Sequence, residues 1–252
     1  MTDASPADAW KQWHEERTAS VSAPHGPLSL TGTYWLDEYP DGKLPAIPGQ
    51  WRVDGDGVVR TLDGERTRLG ADATVALGER RLVVIVREGV WGVRDFDPAA
   101  PARTAFLESP GIDATPYDPR WAVEGRFTPY PDGSTDVRVE NADGRKRALG
   151  LAGELTFSLA GQEHTLQVAR QADGRLWAVF ADATSGRGSY RFRFLHPAAP
   201  DADGRTTVDL NRATLPPCAF ADHFICPFPP PGNTLTVDVA AGERNLAAPR
   251  AV

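Results

Sequence analysis

Cysteine is scarce in this chain of 252 residues, where only Cys218 and Cys226 occur. Two cysteines are too few to staple a fold of this size, so a disulfide-rich scaffold is excluded and a reducing compartment is indicated. Long apolar runs are missing as well, because no stretch approaches the roughly 20 residues of a membrane-spanning helix. The first twenty residues lack the basic and apolar regions of a secretion signal. These absences predict a soluble cytoplasmic protein without a membrane partner.

Positive charge is also in short supply, since 27 Lys and Arg residues face 34 Asp and Glu residues and the formal net charge is −7. A surface without a positive field argues against a nucleic-acid partner. A short basic run at 145–147 follows Asp143-Gly144 and is interpreted as a solvated hairpin end. Hydrophobic residues make up 41% of the chain and charged residues 24%, as in globular proteins. We therefore expect a single mainly β domain over residues 1–252.

The start of the chain carries a helix signal. Residues 5–8 read Ser-Pro-Ala-Asp, which supplies an N-cap, a proline at the first helical position and an acid in the first turn. We predict a short helix over about 6–19, in which Trp10, Trp13 and Arg17 share one face. That face either docks the helix onto the main body or binds a partner protein.

Asp-Gly pairs dominate the rest of the chain and are the strongest short signal for β-hairpins. They occur at 41–42, 54–55, 56–57, 63–64, 132–133, 143–144, 173–174 and 203–204. Short β-branched or aromatic runs lie between them, at 81–87, 90–94, 135–139, 155–159, 165–169, 176–180 and 189–195. No helical periodicity of useful length follows residue 20, which disfavours a parallel sheet with crossover helices. The predicted fold is mainly β: an antiparallel barrel-like or sandwich body built from hairpins, with one short N-terminal helix and a proline-rich C-terminal loop.

The stretch 97–119 is rich in proline and glycine, and proline cannot donate to a sheet ladder. It also contains apolar residues that need cover, among them Phe106 and Ile112. We interpret it as a loop wrapped over one body. It is also the place where the chain would divide if it formed two β subdomains.

Strong catalytic motifs are missing from the sequence. It has no glycine-rich phosphate loop, His-Glu-x-x-His, paired CxxC or Gly-x-Ser-x-Gly. The densest unusual segment is 209–233, which holds both cysteines, Asp222 and His223. Its six prolines impose extended backbone without donors, which predicts a rigid loop. Rigid loops on β scaffolds commonly carry binding or catalytic sites.

The same segment carries a family pattern. Its members here are Asp209, Asn211, Arg212, Ala213, Pro216, Cys218, Ala219, Phe220, Cys226, Pro227 and Asn233. Further members upstream are Arg94, Asp97, Phe180, Asp182, Thr184, Ser185, Gly186, Tyr190, Arg193 and Leu195. In these residues the chain resembles a bacterial family, the domain of unknown function 1684, over nearly its whole length.

The resemblance implies no assigned activity, and three positions depart from the family pattern. Leu210 replaces Phe, Leu215 replaces a common Asn, and Gly232 stands where Glu usually precedes Asn. Gly232 therefore supplies no carboxylate at the last of these positions.

The two cysteines allow four interpretations. They are buried structural thiols, or one is a nucleophile, or they form a disulfide, or they bind zinc with His223 and either Asp222 or Asp209. Their spacing matches no standard zinc finger, so we predict no metal site and expect free thiols.

Asp209 and Asn211 lie two apart, so on a strand they share a face and both can point into a cavity. They can equally cap the turn that starts the loop, because Asx side chains bond nearby backbone groups. The same alternatives hold for Asp182.

Arg94 and Arg193 lie in β segments, where a buried arginine needs a carboxylate such as Asp182 or Asp209. Such pairs would line a pocket for a polar or anionic ligand, or the arginines are edge-strand gatekeepers.

We predict a protein that handles a small molecule. As an enzyme it would use Asp182 or Asp209 as general base and Tyr190 or an arginine to stabilise negative charge, which suits hydrolysis or proton abstraction. The ligand-binding residues would be Arg94, Arg193, Asn211, Cys218 and His223. The alternatives are a non-catalytic small-ligand-binding barrel and a structural or partner-binding protein that uses the tryptophan helix. The sequence identifies neither a cofactor nor an oligomeric state.

Overall fold

The structure of the chain is a computed structural model that describes residues 5–247. The chain divides into two units. The larger unit combines residues 1–19 with residues 109–252, and the smaller unit consists of residues 20–108. Each unit has a hydrophobic cluster of its own. The expectation of one domain over 1–252 stays a prediction.

Antiparallel strands make up most of the regular structure. The α-helices are α1 (Pro6–Val21) and α2 (Pro101–Leu107). The strands of the smaller unit are β1 (Leu30–Trp35), β2 (Gln50–Asp54), β3 (Gly57–Leu62), β4 (Glu65–Leu69), β5 (Thr74–Leu77), β6 (Arg80–Arg87) and β7 (Val90–Phe96). The strands of the larger unit are β8 (Ile112–Ala114), β9 (Ala122–Pro129), β10 (Thr135–Glu140), β11 (Lys146–Leu151), β12 (Gly153–Leu159), β13 (Gln162–Arg170), β14 (Leu176–Phe180), β15 (Arg193–Leu195), β16 (Arg205–Asp209) and β17 (Glu243–Leu246). The prediction of a mainly antiparallel β fold is confirmed.

The smaller unit contains two sheets. One has the strand order β1-β7-β6-β5 and the other the order β2-β3-β4. Their apolar faces bury Trp51, Val58 and Val93 almost completely. These side chains belong to one cluster, which is the core of the unit.

The larger unit is organised around a six-stranded sheet of order β15-β14-β13-β12-β9-β16. Two smaller sheets, β10-β11 and β17-β8, accompany it. The apolar face of the large sheet buries Leu155, Leu166, Phe180 and Val208. Alternate residues of its strands point to opposite faces, which is why one face can form a core while the other is polar.

Turn chemistry explains why sequence neighbours pair. Asp63 and Gly64 connect β3 to β4 with φ angles of 50° and 82°. Positive φ at both central positions is typical of the type I′ turn, whose twist matches that of the flanking strands. The predicted Asp143-Gly144 turn likewise separates the paired strands β10 and β11.

The N-terminal helix docks onto the larger unit, as the first of the two alternatives predicted. The indole N–H of Trp10 donates to the Asn211 carbonyl over 2.8 Å. Arg17 forms an ion pair with the buried carboxylate of Glu243 over 3.1 Å. Among residues 5–247, neither α-helix has the length and apolar character that crossing a membrane requires.

Two segments differ from the expectation. The loop interpretation of 97–119 is wrong for residues 101–107, which form α2. The helix was not predicted because seven residues are too few to show a periodic apolar pattern. The run 189–195 was expected to be one strand, but only its last three residues form β15. The Tyr190 amide instead donates to the Arg244 carbonyl over 2.7 Å.

Candidate functional site

Asp182 and Arg193, two predicted site residues, pair with each other inside the larger unit. Arg193 Nη2 donates to Asp182 Oδ2 over 2.5 Å, and both side chains are fully buried. Arg193 also donates to the carbonyls of Ala241 and Val239, at 2.5 and 3.0 Å. The other carboxylate oxygen accepts from the Thr184 amide over 2.6 Å. The pair therefore fastens the loop after β14 to the segment before β17.

Asn211 and Asp209 form the turn that follows β16. The Asn211 side chain accepts from the Asp118 amide over 3.0 Å and donates to the Asp118 carbonyl over 3.1 Å. Asp209 Oδ1 accepts from the backbone and side-chain nitrogens of Asn211, at 3.1 and 2.9 Å. Asn211 is fully buried, whereas the Asp209 side chain is 25% exposed. Both residues therefore cap and brace this turn, and only Asp209 also reaches a cavity.

Tyr190 and Cys218 are brought into contact. The Tyr190 hydroxyl donates to the Cys218 carbonyl over 3.1 Å and lies 3.6 Å from the Cys218 sulfur. Cys226 lies beside them, because its sulfur accepts from the Cys218 amide over 3.2 Å. Cys218 and Cys226 are free and buried. With Arg191, whose guanidinium group lowers the pKa of Cys218, these residues form a group that we call the thiol cluster.

The two remaining predicted site residues are His223 and Arg94. His223 is exposed on the loop between the two cysteines. Arg94 belongs to β7 of the smaller unit, where it stands opposite Thr33 and Val83 of the neighbouring strands. Within residues 5–247, no three His, Cys, Asp or Glu side chains are grouped closely enough to hold a metal ion.

An arginine-lined cleft opens in the larger unit, and sequence reasoning missed it. It consists of two adjoining cavities, of about 520 Å³ and about 340 Å³, which share Arg175, His196 and Arg212. The first cavity is also lined by Trp13, Arg17, Gln171 and Thr214. The second is also lined by Leu195, Pro197, Ala198, Ala199, Thr207 and Asp209. We call the two cavities together the arginine cleft.

Two of the three guanidinium groups in the arginine cleft are paired with carboxylates. Arg212 Nε lies 3.4 Å from Asp209 Oδ2, and Arg17 Nε lies 3.1 Å from Glu243 Oε1. Arg175 donates to a backbone carbonyl over 3.3 Å. Among the residues that the structure describes, no carboxylate forms an ion pair with Arg175. The arginine side chains of the cleft therefore outnumber their carboxylate partners.

The imidazole of His196 is neutral at physiological pH. Its burial lowers its pKa to about 4, and the positive charges of Arg175 and Arg17 act in the same direction while Asp173 opposes them. A neutral imidazole offers one N–H donor and one acceptor. The arginine cleft thus combines permanent cations with one uncharged hydrogen-bonding ring.

The ends of strands position these groups. His196 directly follows β15 and Arg175 directly precedes β14. Because β14 and β15 are antiparallel partners, these ends meet at one edge of the sheet. Arg212 lies in the one-turn 3-10 helix Leu210–Arg212 after β16, and α1 supplies Arg17. In the sequence, Arg175 and His196 could be recognised only as polar residues at the ends of predicted strands. Such residues are common, so this signal is too weak to identify a site.

Comparisons with known proteins place the larger unit in a family. No curated protein matches the chain significantly. The solution NMR structure of an uncharacterized protein from Haloarcula marismortui is 34% identical, with a TM-score of 0.44, over 53% of this chain and 76% of that one. The family described as "Protein of unknown function (DUF1684)" matches residues 108–244, which confirms the resemblance over that range, while Arg94 and Asp97 lie outside the match. The chain therefore belongs to the DUF1684 family.

Proposed function

We propose that the larger unit binds a small anionic molecule in the arginine cleft. One observation carries this proposal: three guanidinium groups converge on a cavity of about 520 Å³ in a chain whose net charge is −7. Cavities of roughly 300–1,000 Å³ are the usual size of small-ligand sites. In an acidic chain, such a concentration of positive charge around one opening favours a negatively charged ligand.

Arg175 is the main candidate for the contact with the ligand. The paired guanidinium groups of Arg212 and Arg17 are partly occupied by Asp209 and Glu243. Arg175 is exposed, and its planar fork of donors matches a carboxylate or a phosphate. The anionic group is therefore expected to lie against Arg175, with Arg212 beside it.

The walls of the arginine cleft favour an anion that carries an apolar or aromatic part. Leu195 and Pro197 line the smaller cavity beside the charged groups. The ring of Trp13 lies 5.2 Å from the Arg212 guanidinium carbon, in a cation–π arrangement that leaves an aromatic wall next to the positive charge. A carboxylate or phosphate ester attached to a hydrocarbon or ring suits these walls better than an inorganic anion.

Neutral His196 adds a hydrogen bond without adding charge. A bound anion would favour the protonated imidazole, because an opposite charge nearby raises the pKa of a histidine. Ligand binding is therefore expected to take up protons under mildly acidic conditions.

The second candidate function is an acid–base enzyme acting on the same ligand. Asp209 and His196 border one cavity, so a carboxylate and a neutral imidazole flank the space that the ligand would occupy. Asp182 is less suited to the role of general base, because Arg193 and backbone amides engage it. Asp209 and His196 are therefore the groups that would move protons in such a reaction.

Isothermal titration calorimetry on the full chain tests the binding proposal. The probes are benzoate, phenyl phosphate and inorganic phosphate, with uncharged benzamide as the matched ligand control. We expect phenyl phosphate and benzoate to bind and benzamide not to bind. Arg175→Gln should raise the Kd about tenfold, the equivalent of about 1.4 kcal/mol. Arg205→Gln, which changes an exposed arginine outside the cleft, should leave the Kd unchanged.

The proposal fails if no anionic probe binds, or if Arg175→Gln and Arg205→Gln have the same effect. The second candidate function, an acid–base enzyme, requires that the protein turns over a bound ester. Proton NMR measures that turnover. Loss of turnover in Asp209→Asn or His196→Gln with ligand binding retained would support it. Binding without any turnover would leave the ligand-binding function alone.

We also propose that the protein resides in the cytoplasm and has no nucleic-acid partner. The two free thiols support a reducing compartment. The excess of acidic residues supports the absence of a nucleic-acid partner. Cell fractionation and a gel-shift assay with duplex DNA at low salt test the two points separately.

A further inference from the structure

The thiol cluster is built by two loops of the larger unit. One loop, between β14 and β15, delivers Tyr190 and Arg191. The other is the proline-framed segment after β16, which delivers both cysteines: Cys218 lies in the one-turn 3-10 helix Pro217–Ala219, and Cys226 follows eight residues later. The carbonyl of Cys226 accepts from the Ala142 amide over 2.9 Å. Both sulfurs therefore belong to one proline-framed loop.

Three side chains act on the Cys218 sulfur. The Tyr190 hydroxyl lies 3.6 Å from it, and the Cys226 thiol and the Arg191 guanidinium lower its pKa. Polar hydrogens and positive charge near a sulfur favour the thiolate over the thiol, because interactions with a charged form stabilise that form.

The acid–base properties of the cluster agree with this geometry. The hydrogen bond from Cys226 is the largest cause that lowers the pKa of Cys218 to about 6; burial opposes it, and Tyr190 and Arg191 reinforce it. Burial, together with the neighbouring Cys218 sulfur, raises the pKa of Tyr190 to about 12. Tyr190 therefore keeps its proton and remains a donor to the thiolate.

Arg191 lies beside the cluster, over the aromatic rings of the same region. It is exposed, and its guanidinium carbon lies 4.7 Å from the centre of the Phe228 ring and 5.4 Å from that of Phe192. Cys218 and Cys226 are each 6% exposed. The low exposure of both cysteines favours a reagent close to water in size over a bulky aromatic one.

We propose that Cys218 and Cys226 form a peroxide-reactive dithiol, in which Cys218 is the thiolate that attacks hydrogen peroxide and Cys226 is the thiol that resolves the product. Such a site is independent of the arginine cleft and of the ligand proposed for it. It assigns the proline-framed loop a redox function in a reducing compartment, where two neighbouring thiols without metal or disulfide are kept reduced.

The two steps balance as follows. The Cys218 thiolate attacks one oxygen of hydrogen peroxide: an S–O bond forms, the O–O bond breaks, and the departing hydroxide takes up from solvent the proton that the thiol had released, leaving as water. The sulfur loses two electrons to the peroxide and becomes a sulfenic acid. The Cys226 sulfur then attacks it, so that an S–S bond forms, the S–O bond breaks, and a second water leaves with the Cys226 proton. A dithiol reductant returns both residues to thiols by exchange.

The experiment is stopped-flow oxidation of the reduced full chain with hydrogen peroxide, followed by intact mass spectrometry. The wild type should lose the mass of two hydrogen atoms, and dithiothreitol should restore it. Cys226→Ser should instead gain one oxygen atom on Cys218, trapped by dimedone, and Cys218→Ser should lose the fast phase. Arg191→Gln removes a positive charge that stabilises the Cys218 thiolate, so a smaller fraction of Cys218 is ionised. The first step should therefore slow by about tenfold near neutral pH.

Two controls keep the outcome decisive. Arg187→Gln changes another exposed arginine of the same loop and should react at the wild-type rate. Circular dichroism establishes that each variant is folded before its rate is compared. The proposal is overturned if the native wild type reacts no faster than the urea-unfolded chain, if no intramolecular disulfide forms, or if Arg191→Gln reacts at the rate of Arg187→Gln.

Discussion

Arg193 donates to Asp182 over 2.5 Å with both side chains fully buried, and this pair joins two loops of the larger unit. Arg193→Met leaves a buried carboxylate without its cation, so we expect the free energy of unfolding to fall by about 3–5 kcal/mol. Urea denaturation measures the loss. The double variant Arg193→Met/Asp182→Leu should recover much of that stability, because it removes both charges. If Arg193→Met is instead as stable as the wild type but no longer binds phenyl phosphate, the pair belongs to the functional site.

Asn211 is expected to be a bracing residue. Asn211→Ala removes its two hydrogen bonds to the Asp118 backbone, which leaves buried polar groups unsatisfied and should cost about 1–3 kcal/mol. Asp209→Ala removes a partly buried cap and should cost about 0.5–2 kcal/mol. Thermal melting measures both losses. If both variants melt early yet bind phenyl phosphate normally, the two residues belong to the scaffold.

His196 makes stability depend on pH in a defined direction. Its pKa is about 4 in the folded protein, against 6.5 in the free side chain. Between these values the unfolded chain binds a proton that the folded protein does not, so the free energy of unfolding falls as the pH drops from 6.5 towards 4. The loss is at most about 3 kcal/mol. Urea denaturation across this range should show a shallower decline for His196→Gln, while His223→Gln, an exposed change, should follow the wild type.

Cys218 is expected to titrate far below an ordinary thiol. The folded pKa is about 6 against 9.0 for the free group, so the thiolate predominates at neutral pH and disappears as the pH falls through about 6. Ultraviolet absorbance of the thiolate follows this change, and Cys218→Ser supplies the blank. Arg191→Gln should move the midpoint upwards. A wild-type midpoint near that of a free cysteine would contradict the donor arrangement.

Thiol accessibility gives an independent measurement. Because both cysteines are 6% exposed, a bulky aromatic disulfide reagent should react slowly with the native protein and rapidly with two thiols after unfolding. Rapid modification of both native thiols would show that the loop opens in solution. No reactive thiol in either state, without prior peroxide, would indicate a disulfide.

Local sequence chemistry was enough to predict the hairpins and the docking face of α1. Asp63-Gly64 specifies a turn by itself, because the preference for positive φ depends on two residues only. The position of Trp10, Trp13 and Arg17 on one helical face follows from the helix period alone. The helix α2 was missed because seven residues are too few for a periodic signal.

The sequence by itself determined the antiparallel β class, the family, and the placement of both cysteines in a proline-framed loop, since each depends on neighbours along the chain. The tertiary structure alone decided that Asp182 pairs with Arg193, that Arg175 meets His196 and Arg212, and that Tyr190 reaches Cys218. Each of these contacts depends on which strands and loops are brought together across the sheet. A charged residue in a sequence has many candidate partners, and only long-range packing selects one of them.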